Sequence, residues 1–333
     1  MKKLCTIGGA TQDIFIQYEG AETMHLHKKH EMTSYLLVEQ GIKVDVPDMW
    51  YATGGGATNT ACALVRLGLP VEAFFAVGDD RVGQTIVDFL MNEGVETSHY
   101  AVKKGFKTAV SFIIPSTEKN NVAFCYRGAT RELVCEDFSD VEFSDFSFLY
   151  ITSLAGRSRA LLPSLIKKAH ELGIPVASNP GIREIVHGDD VLESLHGIKI
   201  LILNTLESTH LMRRLLEKGL SSPKKETLHT RFSSNGEPTL VKFFMSFEGE
   251  EISLFDYFTE VFKRGPSIVV VTNGKEGVYI GTPDKVYFHP SIKVEVVGAL
   301  GAGDAFGSTF VGCLHLGKTL EEAIVLAVVN ASS

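Results

Sequence analysis

The pattern of apolar and polar positions changes character near residue 146. Beyond it, short apolar runs alternate with stretches whose apolar residues recur every three or four positions. The runs predict strands at 148–152, 175–178, 198–203 and 268–272, and the periodic stretches predict helices at 158–172, 189–195 and 206–217. Such alternation predicts an α/β fold, a doubly wound and mostly parallel sheet flanked by helices. Ahead of residue 146 the same reading gives a buried strand at 4–7, a helix at 61–67, a strand at 71–77 and an amphipathic helix ending at Glu93. Residues 14–50 have no helical period and alternate in places. Residues 108–114 and 122–126 predict an exposed antiparallel pair around a polar turn at 116–121. A polar stretch within about 220–240, with Ser-Ser-Pro-Lys-Lys and Ser-Ser-Asn-Gly-Glu-Pro, reads as a loop insertion.

Composition narrows the partner. The 333 residues suit one large α/β domain or two smaller ones. With 32 Lys and Arg against 40 Asp and Glu, the net charge of −8 leaves no electrostatic footprint for nucleic acid or an anionic membrane, so a small-molecule partner is expected. Cys5, Cys62, Cys125, Cys135 and Cys313 are odd in number, scattered and without a C-x-x-C pair, which predicts reduced thiols in a cytoplasmic protein. No signal-peptide core follows Met1-Lys2-Lys3, and no apolar run reaches transmembrane length.

The candidate chemistry concentrates at strand ends. Gly298-Ala-Leu-Gly-Ala-Gly-Asp-Ala-Phe-Gly307 lies between a strand-like run at 292–297 and a helix-like run at 305–316. A chain that turns through glycine into a helix presents free N–H groups to an anion, and Gly301, Ala302 and Gly303 are small enough to let it approach. Asp304 would repel that anion if binding were the whole purpose. A carboxylate there suits a base that takes a proton from an acceptor hydroxyl during phosphoryl transfer; a plain helix start with an N-terminal acid is the alternative.

Asp13, past the first strand, is a hydroxyl acceptor or a turn residue. Gly54 and Gly55 permit close backbone approach, and Asn59 can donate and accept toward a sugar hydroxyl or belong to a helix cap. Asn204 and Glu207, three apart at the start of a helix, can orient a hydrated Mg²⁺ or form a capping box. Thr272, Gly274 and Gly277 can face a nucleotide or close a hairpin. His25, His27 and His30 are close enough to raise a metal site, although the alternation also fits one face of an exposed strand and no Cys or paired acid completes a ligand set.

Taken in order, Asp13, Gly54-Gly55 with Asn59, Val77 to Gly83, Asn179 to Arg183, Asn204 with Glu207, Thr272 with Gly274, and Gly301 to Asp304 resemble the ribokinase-like (PfkB) family of carbohydrate and nucleoside kinases over nearly the whole chain. The resemblance implies one ribokinase-like domain over 1–333, with a small β lid from segments at about 14–50 and 104–128. It implies that Asp304 is the base and Gly301, Ala302 and Gly303 the anion hole. Asp13, Gly54, Gly55 and Asn59 would hold the substrate. Asn204 and Glu207 would serve Mg·ATP, Mg²⁺ through water, while Thr272, Gly274, Gly277 and Asn330 would line the nucleotide site. Gly298-Ala299 stands where family members often carry Asp-Thr, whose Asp helps to hold an activating monovalent cation, so the resemblance argues against that activation. The family continues past the position of Asn330, so a truncated chain is expected.

The leading expectation is therefore an ATP-dependent kinase acting on a small sugar, with a nucleoside such as adenosine as the alternative acceptor. A sugar-binding protein without catalysis is a further alternative, against which Asp304 argues. A dinucleotide-dependent oxidoreductase would need the glycine cluster on the first βα turn, and here it lies near the C-terminus. An exposed β lid also offers edges that a homodimer would cover.

Overall fold

The computed structural model describes residues 2–18, 20, 22–28, 31–115, 121–219, 239–294 and 300–332. An eight-stranded sheet runs in the order Val286–His289, Val278–Gly281, Ile268–Thr272, Ile200–Asn204, Val176–Asn179, Phe146–Thr152, Lys3–Ile7, Val71–Phe74. The last six are parallel, and the first two add an antiparallel hairpin. The parallel strands are apolar throughout because both faces are covered. Leu149, Ile151, Leu201, Leu203, Val269 and Val271 enter one core with the helices Leu161–Glu171, Thr205–Glu217 and Leu254–Phe262. Phe148, Tyr150, Ile200, Ile202 and Val270 enter the other, against Gly56–Arg66, Arg81–Asn92, Ala302–His315 and Leu320–Ala331.

Two features position the site. The chain runs outward from Lys3–Ile7 to the edge strand Val71–Phe74 and returns on the opposite side at Phe146–Thr152, so the strand order reverses between Lys3–Ile7 and Phe146–Thr152. A crevice opens beyond strand ends at such a reversal. Over it stands a second sheet in the order Asn121–Tyr126, Ala109–Pro115, Thr11–Ile16, Met49–Gly54. From the same region a separate hairpin is formed by Glu22–Lys28 and Glu31–Leu37.

Several expectations change in detail. The run at 71–77 divides into Val71–Phe74 and Ala76–Gly78, the latter paired with Ala101–Lys103. The helix expected at 158–172 begins as a tighter turn, Gly156–Ala160, before Leu161–Glu171. Residues 292–294 carry no regular structure, and 295–299, with Gly298 and Ala299, lie outside the described residues. So do His30 and, of the expected insertion, residues 220–238; the chain resumes in Thr239–Lys242 and the hairpin Met245–Phe247 with Glu250–Ile252. All five cysteines are free thiols. Among the described residues no helix is long and apolar enough to cross a membrane, and no group of three or more His, Cys, Asp or Glu side chains gathers as a metal site.

Candidate active site

Helix Ala302–His315 starts at Gly301, whose left-handed φ of 83° a glycine adopts without steric cost. The first intrahelical bond runs from Ala305 N to Gly301 O at 2.9 Å, so the N–H groups of Ala302, Gly303 and Asp304 precede the helical ladder. A Cβ on Gly301 or Gly303 would meet nothing within 4 Å, so this turn fronts open space. Asp304, expected just before the helix, lies within its first turn. Its Oδ2 accepts a 2.8 Å hydrogen bond from Asn59 Nδ2, which comes from the facing helix Gly56–Arg66. Burial pushes the Asp304 carboxyl above the ordinary aspartate value, and the Asn59 bond opposes that shift.

Asp13 reaches the same crevice from the strand Thr11–Ile16. Burial raises its carboxyl, the Ser111 hydroxyl beside it lowers it, and the charge of Asp304 raises it again. Gly54 is small because Asp13 is there: a Cβ at Gly54 would lie 2.0 Å from Asp13 Oδ2. Gly55, at φ 107°, lets the helix start pack against the first strand's exit, where a Cβ would lie 2.4 Å from Gly9 O. The resulting cleft has a volume of about 440 Å³ and is lined by Asp13, Gly54, Asn59, Gly301, Ala302, Asp304 and Asn330 among others. Gly55 and Gly303 are not among the lining residues. Asn330 donates from Nδ2 to Thr309 Oγ1 at 2.8 Å and to Ala305 O at 3.4 Å, tying the last helix to the Asp304 helix.

Phe15, Cys62 and Arg66 also line the cleft and escaped the sequence reading. The signal was periodicity: Phe15 shares the strand face of Asp13, and Cys62 and Arg66 follow Asn59 at three and seven positions on one helix face. Burial pushes the Cys62 thiol up to about 11, which keeps it a poor nucleophile at neutral pH.

Asn204, Glu207, Thr272, Gly274 and Gly277 form a second group, at the ends of neighbouring strands, and do not line the Asp304 cleft. Asn204 and Thr272 are register partners. Asn204 Oδ1 accepts from Glu207 N at 2.8 Å, and Glu207 Oε2 accepts from Asn204 N at 2.9 Å, so the capping box is fully made. Burial raises the Glu207 carboxyl, and hydrogen bonds from the Asn204 backbone and side chain lower it. A single carboxylate at a strand end fits an Mg²⁺ that retains its waters, and does not amount to an all-protein cage. Gly277 serves the hairpin: at φ 122° its Cβ would lie 2.2 Å from His289 O. No atom lies within 4 Å of a Cβ built on Gly274.

Two acids of raised pKa beneath an open helix N-terminus, with an acceptor-sized cleft between them, are equipment for transfer to a hydroxyl. A model of the pfkB family of carbohydrate kinases matches residues 29–333. The chain belongs to this family. Among its relatives is the 5-dehydro-2-deoxygluconokinase of Mesomycoplasma hyopneumoniae strain 7448, 24% identical over 283 residues that cover 84% of this chain and 77% of that protein. The ribokinase of Arabidopsis thaliana, solved with ribose and ATP, superposes with a TM-score of 0.70 at 19% identity, covering 99% of this chain and 91% of that one. A nucleoside kinase of Burkholderia thailandensis in complex with inosine gives 0.70 at 17%, covering 99% and 90%. Both structures share the ribokinase-like fold with this chain. This pfkB kinase is an ATP-dependent sugar kinase.

Proposed function

We propose that this kinase binds a small sugar in the Asp304 crevice and transfers the γ-phosphoryl group of ATP to one of its hydroxyls, with Asp304 as the base. The observation that carries the reading is the Asn59 to Asp304 bond at 2.8 Å beneath the open helix start. Asn59 occupies Oδ2, so Oδ1 is the oxygen that takes the acceptor proton as the sugar oxygen attacks phosphorus. The N–H groups of Ala302, Gly303 and Asp304 face the charge that moves with the phosphoryl group. Asp13 accepts from a second sugar hydroxyl and fixes the ring. Glu207 and Asn204 would hold the Mg²⁺ that accompanies ATP, which would supply charge neutralisation at the phosphates. Thr272 and Gly274 line the nucleotide side. The second sheet acts as a lid that excludes water as a competing acceptor.

The lid's faces favour a bare sugar. Ser111 and Ile113 are register partners of Asp13 and Phe15, whereas Phe112 pairs with Ile14 and Phe124 on the opposite face. Those two rings therefore offer a base no stacking surface inside the cleft. The nucleoside alternative draws on Phe15, which lines the cleft and stacks on Trp50 with ring centroids 5.1 Å apart. ADP release with Mg·ATP, measured across ribose, fructose, keto-deoxy sugar acids and adenosine, decides between them. Release that depends on one sugar is expected; release with adenosine alone reverses the choice, and release with none removes the acceptor reading.

The outer face of the lid carries Tyr51, Phe112 and Phe124, exposed by 59%, 43% and 61%. Ile14 lies between Tyr51 and Phe112 in register, so the four make one apolar row across four strands. This row pairs with the same row of a second copy. Light scattering should give a dimer for the wild type and a monomer for Phe124→Ser. A wild-type monomer at micromolar concentration would refute the pairing.

A further inference from the structure

Asp80 lies away from the crevice, at the cap of helix Arg81–Asn92, yet it makes more bonds than a cap needs. Its Oδ1 accepts from Gly83 N at 2.8 Å, the capping bond. The same oxygen accepts from Thr108 Oγ1 at 2.6 Å, and Oδ2 accepts from Thr108 N at 2.8 Å. Thr108 is buried to 1% exposure and sits immediately before the lid strand Ala109–Pro115. Its hydroxyl also accepts from Gly78 N at 2.9 Å, so donor and acceptor are both engaged. The returning leg of the hairpin is fixed at the same place. Ala129 N donates to Lys107 O at 2.9 Å, and a Cβ on Gly128 would lie 2.2 Å from that carbonyl. The outgoing leg, Ala109–Pro115, is thus held to the body through Thr108 by one carboxylate, and the returning leg is tied to the neighbouring Lys107.

From this geometry we propose that Asp80 is a positioning residue for the acceptor, fixing the lid root through Thr108 and so setting where Ser111 and Ile113 stand against Asp13 and Phe15. The inference rests on the reading of the crevice as the acceptor site. Ser111 lies three residues beyond Thr108, within the strand that Thr108 precedes, about 10 Å away at the strand rise, and faces Asp13 in register. A root that slips carries the Ser111 hydroxyl away from the carboxylate that orients the sugar. Burial pushes the Asp80 carboxyl up, but the three donors and the charge of Lys107 outweigh it and hold the group below the ordinary aspartate value. A cap alone would leave the two Thr108 bonds without purpose.

The test compares Asp80→Asn, Thr108→Val and Thr108→Ser with the wild type in the full chain. Asn keeps the acceptor toward Gly83 and the Thr108 hydroxyl but sets N–H against Thr108 N–H. KM for the acceptor sugar should rise about tenfold in Asp80→Asn and severalfold in Thr108→Val, with KM for ATP within about twofold, as loss of one charge-assisted hydrogen bond predicts. Thr108→Ser, which retains the hydroxyl, should behave as wild type. A lowered Tm with both KM values unchanged would reduce Asp80 to a helix cap, and an equal rise in both would remove the acceptor link. If Asp80→Asn does not fold, the Thr108 pair decides alone. Amide exchange separates failure of this inference from failure of the acceptor reading: faster exchange confined to 109–115 and 121–126 upholds the positioning role even if no sugar turns over, and unchanged exchange there overturns it.

Discussion

Asp304→Asn should lower kcat by roughly 10²- to 10⁴-fold, the range of a general base, while the KM values for sugar and ATP change little. It should also raise Tm. The substitution is isosteric, and the new amide oxygen can still accept from Asn59 Nδ2, so the bond across the crevice survives while the proton acceptor does not. The stability effect follows from the sign of the pKa shift. A carboxyl whose folded pKa lies above its unfolded value binds its proton more tightly in the fold. The wild type therefore gains stability as pH falls from the raised folded value toward the unfolded one, and carries the full penalty of a buried charge at all higher pH. Asn removes that penalty at neutral pH. The same shift places the acid limb of the wild-type kcat/KM profile above the ordinary aspartate value of 3.8, because the base must be ionised to work. Wild-type turnover in Asp304→Asn would reject the assignment of the base; a lowered Tm with lost turnover would leave the burial argument wrong even if the chemistry were right.

The parts legible in sequence and those hidden differ by whether they depend on neighbours close along the chain. The parallel sheet was legible because strands covered on both faces must be apolar without interruption, as in Ile268–Thr272. The Asp304 turn was legible because glycine, acid and helix follow one another directly. The opposite holds for Gly277, whose need for glycine comes from His289 O on the neighbouring strand. Asn204 and Glu207 read alike as a cap and as an Mg²⁺ pair because both uses need the same spacing, and the capping bonds are indeed made. The run at 292–297 has the composition of a strand, yet 292–294 pair with no neighbour in the sheet. Asp80 drew no reading of its own beyond its place in the run Val77 to Gly83, since nothing near it in sequence announces Thr108, 28 positions on.

Gly54→Ala should reduce kcat/KM for the sugar by about ten- to a hundredfold, nearly as much as Asp13→Ala, through the loss of a hydrogen bond to a charged group. Gly54 belongs to the extended strand Met49–Gly54 and has no positive φ, so its backbone tolerates alanine; the obstacle is the methyl group. At 2.0 Å from Asp13 Oδ2 and 2.7 Å from its Cγ, that methyl cannot share the space. The strand cannot easily retreat, because it is paired along its length with Thr11–Ile16 and is followed by Gly55, which packs on Gly9. The carboxylate has to move, and with it the group proposed to fix the sugar ring. The two positions then act as one unit, which a double-mutant cycle can measure. In an Asp13→Ala background the added methyl enters vacated space, so Gly54→Ala should cost almost nothing further. Fully additive losses would mean that Gly54 acts on something other than Asp13, and the account of why glycine stands there would fail.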